Sequence, residues 1–224
     1  MIKSLLFFAL GSLCSWLIEL PYGGWLLILG LGLFFRAIFS DTHPFRSTWI
    51  FSLGYFCNSL WWIFVSLHDI GGLPATLSIL AVIALSAYLS LFYAAAVKLA
   101  YIYQSNTLRI IGIACSWVVF EWLRSQLFTG FPWAGFAESQ VDGPFFAWAP
   151  LLGGLACTWL CVALAAYLSL GKNNYFTKIV ATIAIISASH AMGLVSFTQP
   201  IGRPIDLSLI QGNFAQTTKF DPSR

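Results

Sequence analysis

The sequence predicts an all-α polytopic membrane bundle of about seven transmembrane helices that gives way, near its end, to the start of a water-soluble domain. Composition is the first reason. Of the 224 residues, 59% are hydrophobic and 8% are charged, whereas soluble domains carry about 25% charged residues. The mean hydropathy of +0.82 has the same meaning. A soluble fold of this length has too little interior to hide so much apolar surface, so the solvent must be lipid. The second reason is segmentation. A hydrocarbon core of about 30 Å needs roughly 17–25 apolar residues per helix, and the stretches that approach this are 4–20, 25–39, 47–67, 76–103, 109–128, 150–170 and 176–197. The third is a change of pattern near residue 200, which divides the chain into a helical bundle at 1–200 and the beginning of another domain at 201–224.

The opening MIKSLLFFALGSLC resembles a signal peptide, with a lysine ahead of an apolar stretch. Leu13 stands before Cys14 where a cleavage site needs a small residue, and apolar stretches continue long afterwards, which argues for an uncleaved first helix. The second stretch is short, so it is expected to be tilted or only partly inserted. Breaks at Pro21-Tyr22-Gly23-Gly24, Asp41-Thr42-His43-Pro44, Gly71-Gly72-Leu73-Pro74, Gln104-Ser105-Asn106 and Gly171-Lys172-Asn173-Asn174 are turn-like. The break from Thr129 to Ala149 is longer and rich in Gly, Pro and aromatic residues.

Lys3, Arg36, Arg46, Lys98, Arg109, Lys172 and Lys178 fall on one side of this arrangement; the other has Arg124 with Glu19, Asp69, Glu138 and Asp142. The positive-inside rule then makes the amino terminus cytoplasmic and the segment after Phe197 external. In the tail, Ile205 to Ile210 alternates like a strand, Gln211-Gly212-Asn213 reads as a turn, and Asp221-Pro222 reads as a helix start. A lone strand and a nascent helix cannot bury a core, so the chain reads as truncated.

Few residues carry chemistry. Glu121 and Arg124, at i and i+3, share a helix face and can pair. Charges at membrane depth suggest function, although a pair in the last turns of a helix can equally pin the following loop. Phe131-Pro132-Trp133 reads either as an interfacial anchor or as the floor of a lipid-accepting site. Asn58 and His190 read as interhelical hydrogen-bonding groups. The five cysteines, Cys14, Cys57, Cys115, Cys157 and Cys161, lie in apolar runs and read as small hydrophobes. There is no metal motif, no phosphate loop and no catalytic constellation, no cofactor is implied, and the scattered basic residues exclude a nucleic-acid footprint.

Four stretches together resemble the apolipoprotein N-acyltransferase family. They are Gly71-Gly72-Leu73-Pro74; Glu121-Trp122-Leu123-Arg124; Thr129-Gly130-Phe131-Pro132-Trp133 with Ser139-Gln140-Val141-Asp142-Gly143-Pro144; and Ser208-Leu209-Ile210-Gln211-Gly212-Asn213 with Lys219-Phe220-Asp221-Pro222. Ala137-Glu138 departs from the Gly-Tyr usual in that family. The resemblance implies a bacterial inner-membrane platform for a periplasmic nitrilase-like α/β domain, whose first strand would be Ile205 to Ile210. It also implies a reaction in which an acyl chain passes from a phospholipid to a cysteine thioester, then to the amino group of a diacylglyceryl-cysteine on a lipoprotein. The Glu/Lys/Cys triad of that reaction maps to no residue here, so the chain alone is expected to be a platform, inactive and monomeric. Glu121, Arg124, Phe131, Pro132, Trp133 and Gln140 are the lipid-access candidates.

A secondary transporter or channel subunit is the alternative reading, but such proteins show broken helices in internal repeats and several buried charges, and here the interior is nearly charge-free. The charge asymmetry yields a test of orientation: alkaline phosphatase fused after Arg203 should be active and fused after Asn173 inactive. The opposite pattern would reverse the topology.

Overall fold

The computed structural model describes residues 2–103, 105–170, 175–196, 198 and 201–213. Each of the seven predicted stretches is helical. The helices are α1 (Ile2–Leu17), α2 (Gly23–Ile38), α3 (Pro44–Ser59), α4 (Trp61–Val65), α5 (Ala75–Ala100), α6 (Asn106–Gln126), α7 (Ala149–Leu152), α8 (Gly154–Ser169) and α9 (Tyr175–Met192). Two stretches are broken. The third is α3 followed by α4 and a π-helical turn at Ser66–Ile70, bent by 50° after Ser59. The sixth divides at Gly153, whose φ of 78° no helix accommodates.

Local chemistry sets several of these ends. Pro44 opens α3 at a position where its missing N–H costs nothing. The Ser105 side chain accepts from Leu108 N–H and caps α6. At the break after the π-helical turn, His68 Nδ1 donates to the Leu73 carbonyl at 2.8 Å.

α5 and α9 are each long and apolar enough to cross a membrane, and α3 with its continuation adds a third if the bent pair is one span. α1, α2 and α8 have 16 residues each, about 24 Å of rise, short of a full hydrocarbon core. The fold is therefore a bundle of apolar helices that fits a membrane. The strand expected at Ile205 to Ile210 is not formed; those residues are unpaired and exposed. The expected turn at 171–174 and helix start at Asp221-Pro222 lie outside the described residues.

Six helices close a ring in the order α1, α3, α5, α6, α8, α2 and back to α1. α9 stands outside it, against α8 and the turn at Phe146–Trp148; among its described residues only Lys178 and Ser189 are buried. The α1–α3 seam is the tightest. A Cβ at Gly11 would strike the Phe51 carbonyl, and one at Gly54 the Phe8 carbonyl. Beside them Ser12 Oγ donates to the Gly54 carbonyl at 3.0 Å, and Asn58 Nδ2 donates to Ser15 Oγ at 3.1 Å. Asn58 is thus the interhelical group its sequence position suggests. Small residues with hydroxyls between them are how helices associate where lipid removes the hydrophobic drive.

The two ends of the ring are distinguishable. At one, Lys3 Nζ pairs with Asp41 at 2.8 Å, joining the start of α1 to the α2–α3 connection. Burial raises the Asp41 pKa, but the Lys3 ammonium and the Ser47 hydroxyl outweigh it and hold the carboxyl below its usual range. At the other end the α1–α2 turn meets the long loop, through Tyr22 N–H donating to Asp142 Oδ2 at 2.6 Å.

The packing generates a paired prediction. Gly54→Ala forces a methyl onto backbone and should cost about 1–3 kcal/mol, read as a lower melting temperature in detergent. Gly32→Ala meets its nearest neighbour, the Ala165 carbonyl, at an ordinary 3.6 Å and should be neutral or slightly stabilising.

Candidate functional site

The long loop is a folded structure seated in the mouth of the ring. α6 ends at Gln126, after which Phe128, Thr129 and Gly130 have φ of 51°, 73° and 78° and reverse the chain; Ala134 follows at 60°. Left-handed backbone at non-glycine residues costs about 1–2 kcal/mol each, so something must hold it. Arg124 does. Its Nη1 donates to the carbonyls of Phe131 and Trp133, both at 2.7 Å, and its guanidinium carbon stands 5.4 Å and 5.8 Å from the ring centres of Phe56 and Tyr93. The side chain is 1% exposed. Nε and Nη2 have no hydrogen-bond partner among the described residues, which leaves the two rings as their surroundings.

Glu121, 5% exposed, lies one helical turn earlier. Its Oε2 accepts from Tyr93 OH and its Oε1 from Thr158 Oγ1, both at 3.0 Å. The sequence suggested that Glu121 and Arg124 pair with each other. No ion pair between them is formed; each instead binds neutral groups, on α5 and α8 in one case and on the loop in the other. They still compensate one another's charge within the bundle, and Tyr93 touches both.

The loop answers from above. A Cβ at Gly135 would lie 2.8 Å from both Glu121 Oε1 and Glu138 Oε2, so a larger residue here would have to displace these carboxylates as the backbone passes over Glu121. Phe136 enters the ring fully buried, 5.3 Å from Trp117 and 5.4 Å from Tyr55 between ring centres. Tyr55 OH donates to the Ala134 carbonyl at 3.3 Å, Cys157 Sγ to the Phe145 carbonyl at 3.3 Å, and Ser139 Oγ to the Phe136 carbonyl at 2.7 Å.

The candidates therefore separate into three groups. Arg124, Phe131, Pro132 and Trp133 form one unit: the guanidinium beneath, the FPW turn above, the Phe131 and Trp133 rings 5.2 Å apart, and Trp133 56% exposed. Glu121 supports this unit through Tyr93 and Gly135. Gln140 is elsewhere: it is buried, and its Nε2 donates to Ser139 Oγ at 3.0 Å and to the Gly24 carbonyl at 3.5 Å, fastening the loop to α2. Tyr93, Thr158, Tyr55 and Phe136 were not singled out from the sequence. Polar atoms within apolar stretches were the only available signal for the first three. His190, read as a mid-span interhelical group, is in the last turn of α9, where its Nδ1 donates to its own helix at the Ile186 carbonyl, 3.0 Å away.

A ring of apolar helices carrying a buried charge couple and a clamped aromatic loop at one end defines a membrane-type helical bundle with a constructed mouth. The sequence places it more narrowly. Residues 7–167 match the apolipoprotein N-acyltransferase N-terminal domain, and the chain belongs to that family. Its bacterial relatives include an apolipoprotein N-acyltransferase of Ralstonia nicotianae, 33% identical over 88% of this chain and 39% of the relative. Another, from Haemophilus ducreyi, is 32% identical over 100% of this chain and 45% of its own length. A third, from Bordetella bronchiseptica, is 34% identical over 78% and 36%. The chain thus spans about two fifths of the length of these curated relatives.

The clamp leads to a stability prediction. Arg124→Gln strands two loop carbonyls and leaves Glu121 uncompensated, and should cost about 3 kcal/mol or more. Adding Glu121→Gln should cost less than the two single changes summed. Trp133→Ala, at an exposed side chain, should leave the melting temperature near the parent's. A melting temperature unchanged by Arg124→Gln would show that the clamp does not hold the loop.

Proposed function

We propose that this chain is the membrane platform of an apolipoprotein N-acyltransferase and that the clamped loop is where lipid substrates meet it. In this reading the seven helical stretches cross a bacterial inner membrane, the amino terminus is cytoplasmic, and the loop faces the outer leaflet. The observation that carries it is the FPW turn held rigidly by Arg124 with Trp133 left exposed. A buried cation that binds only loop carbonyls and faces aromatic rings cannot reach a phosphate, so Arg124 and Glu121 act as positioning residues. Trp133, Pro132 and Phe131 would present an apolar, preorganised edge to acyl chains entering at headgroup level.

The reaction served is transfer of an acyl chain from a phospholipid, through a cysteine thioester, to the amino group of a diacylglyceryl-cysteine on a lipoprotein. The thiolate, its glutamate base and the oxyanion-stabilising lysine belong to a nitrilase-like domain. The platform's contribution is to bring two membrane-anchored substrates to one mouth, replacing a search in three dimensions by one within the bilayer.

A photo-crosslinker installed in place of Trp133 tests the loop. In membranes it should capture phospholipid, and an excess of S-diacylglyceryl lipopeptide should displace most of that capture. The same crosslinker in place of Leu80, exposed on α5, should capture lipid that the lipopeptide leaves untouched. Equal competition at both positions, or none at Trp133, would remove the loop from substrate access.

A further inference from the structure

At the opposite end of the ring from the loop, a cavity of about 250 Å³ opens where α1, the α2–α3 connection and the start of α3 meet. Lys3, Ser4, Asp41, His43, Arg46 and Ile50 line it. Asp41 is fully engaged: Oδ1 accepts from Lys3 Nζ at 2.8 Å and from His43 N–H at 3.3 Å, and Oδ2 accepts from Ser47 Oγ. The carboxylate therefore holds Lys3 at the rim and has little left to offer a ligand. Lys3 is not used up by this pairing, since an ammonium carries three donors and the side chain is 60% exposed.

Arg46 is exposed and makes no hydrogen bond or ion pair among the described residues. α3 adds the positive end of its dipole: His43 at its N-cap makes no side-chain cap, so no side chain there takes the first N–H groups of the helix. The lining thus has a surplus of positive charge and suits an anion. The surroundings point to which anion. Ile50, one turn beyond Arg46 on α3, belongs to the lining, and Phe8, one turn beyond Ser4 on α1, is exposed with its backbone against Gly54. The polar cavity runs out onto the apolar α1–α3 seam, where Leu5 and Leu6 are exposed as well. A molecule with an anionic head and alkyl chains uses both surfaces; a soluble anion uses only the first.

We propose that this cavity binds the phosphate of an anionic phospholipid and seats its chains along the α1–α3 seam, in the leaflet at the amino-terminal end of the bundle. Basic pockets between helix ends are where such headgroups dock. A phosphate bridging Lys3 on α1 and Arg46 on α3 staples the two helices beyond their last side-chain contact. In the orientation proposed above this is the cytoplasmic leaflet, so the lipid is a fixed companion of the bundle and not an acyl donor; only the naming of the leaflet rests on that reading. A zwitterionic lipid brings the same phosphate together with an ammonium that Arg46 and the α3 terminus repel.

Dioleoyl phosphatidylglycerol and dioleoyl phosphatidylcholine, titrated into the purified chain in nonionic detergent and followed by native mass spectrometry, test this. The glycerol lipid should bind about tenfold more tightly than the choline lipid. Arg46→Gln should weaken the glycerol lipid about fivefold and leave the choline lipid unchanged. Lys3→Gln should act in the same direction, giving a second arm should Arg46→Gln lower the melting temperature. Arg36→Gln removes an equal charge from the last turn of α2, outside the cavity, and should leave the preference intact. Equal binding of the two lipids, or a preference that survives both Arg46→Gln and Lys3→Gln, would overturn the proposal. So would a preference that falls as much with Arg36→Gln, which would mean diffuse charge and no site. Displacement of phosphatidylglycerol by inorganic phosphate at equal concentration would make a soluble anion the occupant and overturn it too. Because no acyl transfer is measured, failure here leaves the reading of the FPW turn untouched.

Discussion

The fold of the loop depends on one interaction, the two hydrogen bonds from Arg124 Nη1 to the carbonyls of Phe131 and Trp133. A charged donor bound to two carbonyls in a water-poor site is stronger than its counterpart at a surface. It is also the reason a cation can be tolerated so deep: the carbonyl dipoles, the Phe56 and Tyr93 rings and the nearby Glu121 carboxylate replace the hydration it gave up. The left-handed backbone at Phe128 to Gly130, the passage of Gly135 over Glu121 and the insertion of Phe136 into the ring all presuppose that clamp.

The clamp in turn needs the ring. Tyr93 comes from α5, Thr158 from α8 and Phe56 from α3, so the charge couple on α6 is completed by three other helices. Their approach is set by close contacts such as Gly11 and Gly54 on the α1–α3 seam. The polar centre and the small-residue seam are two halves of one constraint, since close approach of backbones allows short polar side chains to meet across helices. This gives the mouth a rigid floor while the outer surface of the bundle stays apolar.

Much of this was legible in the sequence. Each stretch that hydropathy marked is helical, because an apolar run can be read one segment at a time, although α1, α2 and α8 are shorter than a full hydrocarbon core. Glu121 and Arg124 stood out for a similar reason, being charges where charge is costly. What could not be read was anything requiring two distant segments at once. Phe131, Phe136 and Phe145 look alike in the sequence, yet Phe136 and Phe145 are core residues while Phe131 stays at the rim. Gln140 looked like its neighbours in the loop and proved to be a buried tie to α2. The alternation at Ile205 to Ile210 is a strand pattern, but pairing is supplied by a neighbouring strand, and none is described.

The order of helices around the ring has a consequence for how the protein is made. α1, α3, α5 and α6 are successive neighbours, so that wall can assemble as the chain emerges. α2 is the exception, because its principal partner apart from α1 is α8. Between the start of α2 at Gly23 and that of α8 at Gly154 lie about 130 residues, roughly 7 to 26 s of translation. Throughout that interval the face of α2 that meets α8, where Gly32 lies beside the Ala165 carbonyl, has no partner from α8 and must be covered by lipid or by the insertion machinery. Ring closure is thus a late event in biogenesis, and a nascent chain stalled before α8 would hold an open bundle.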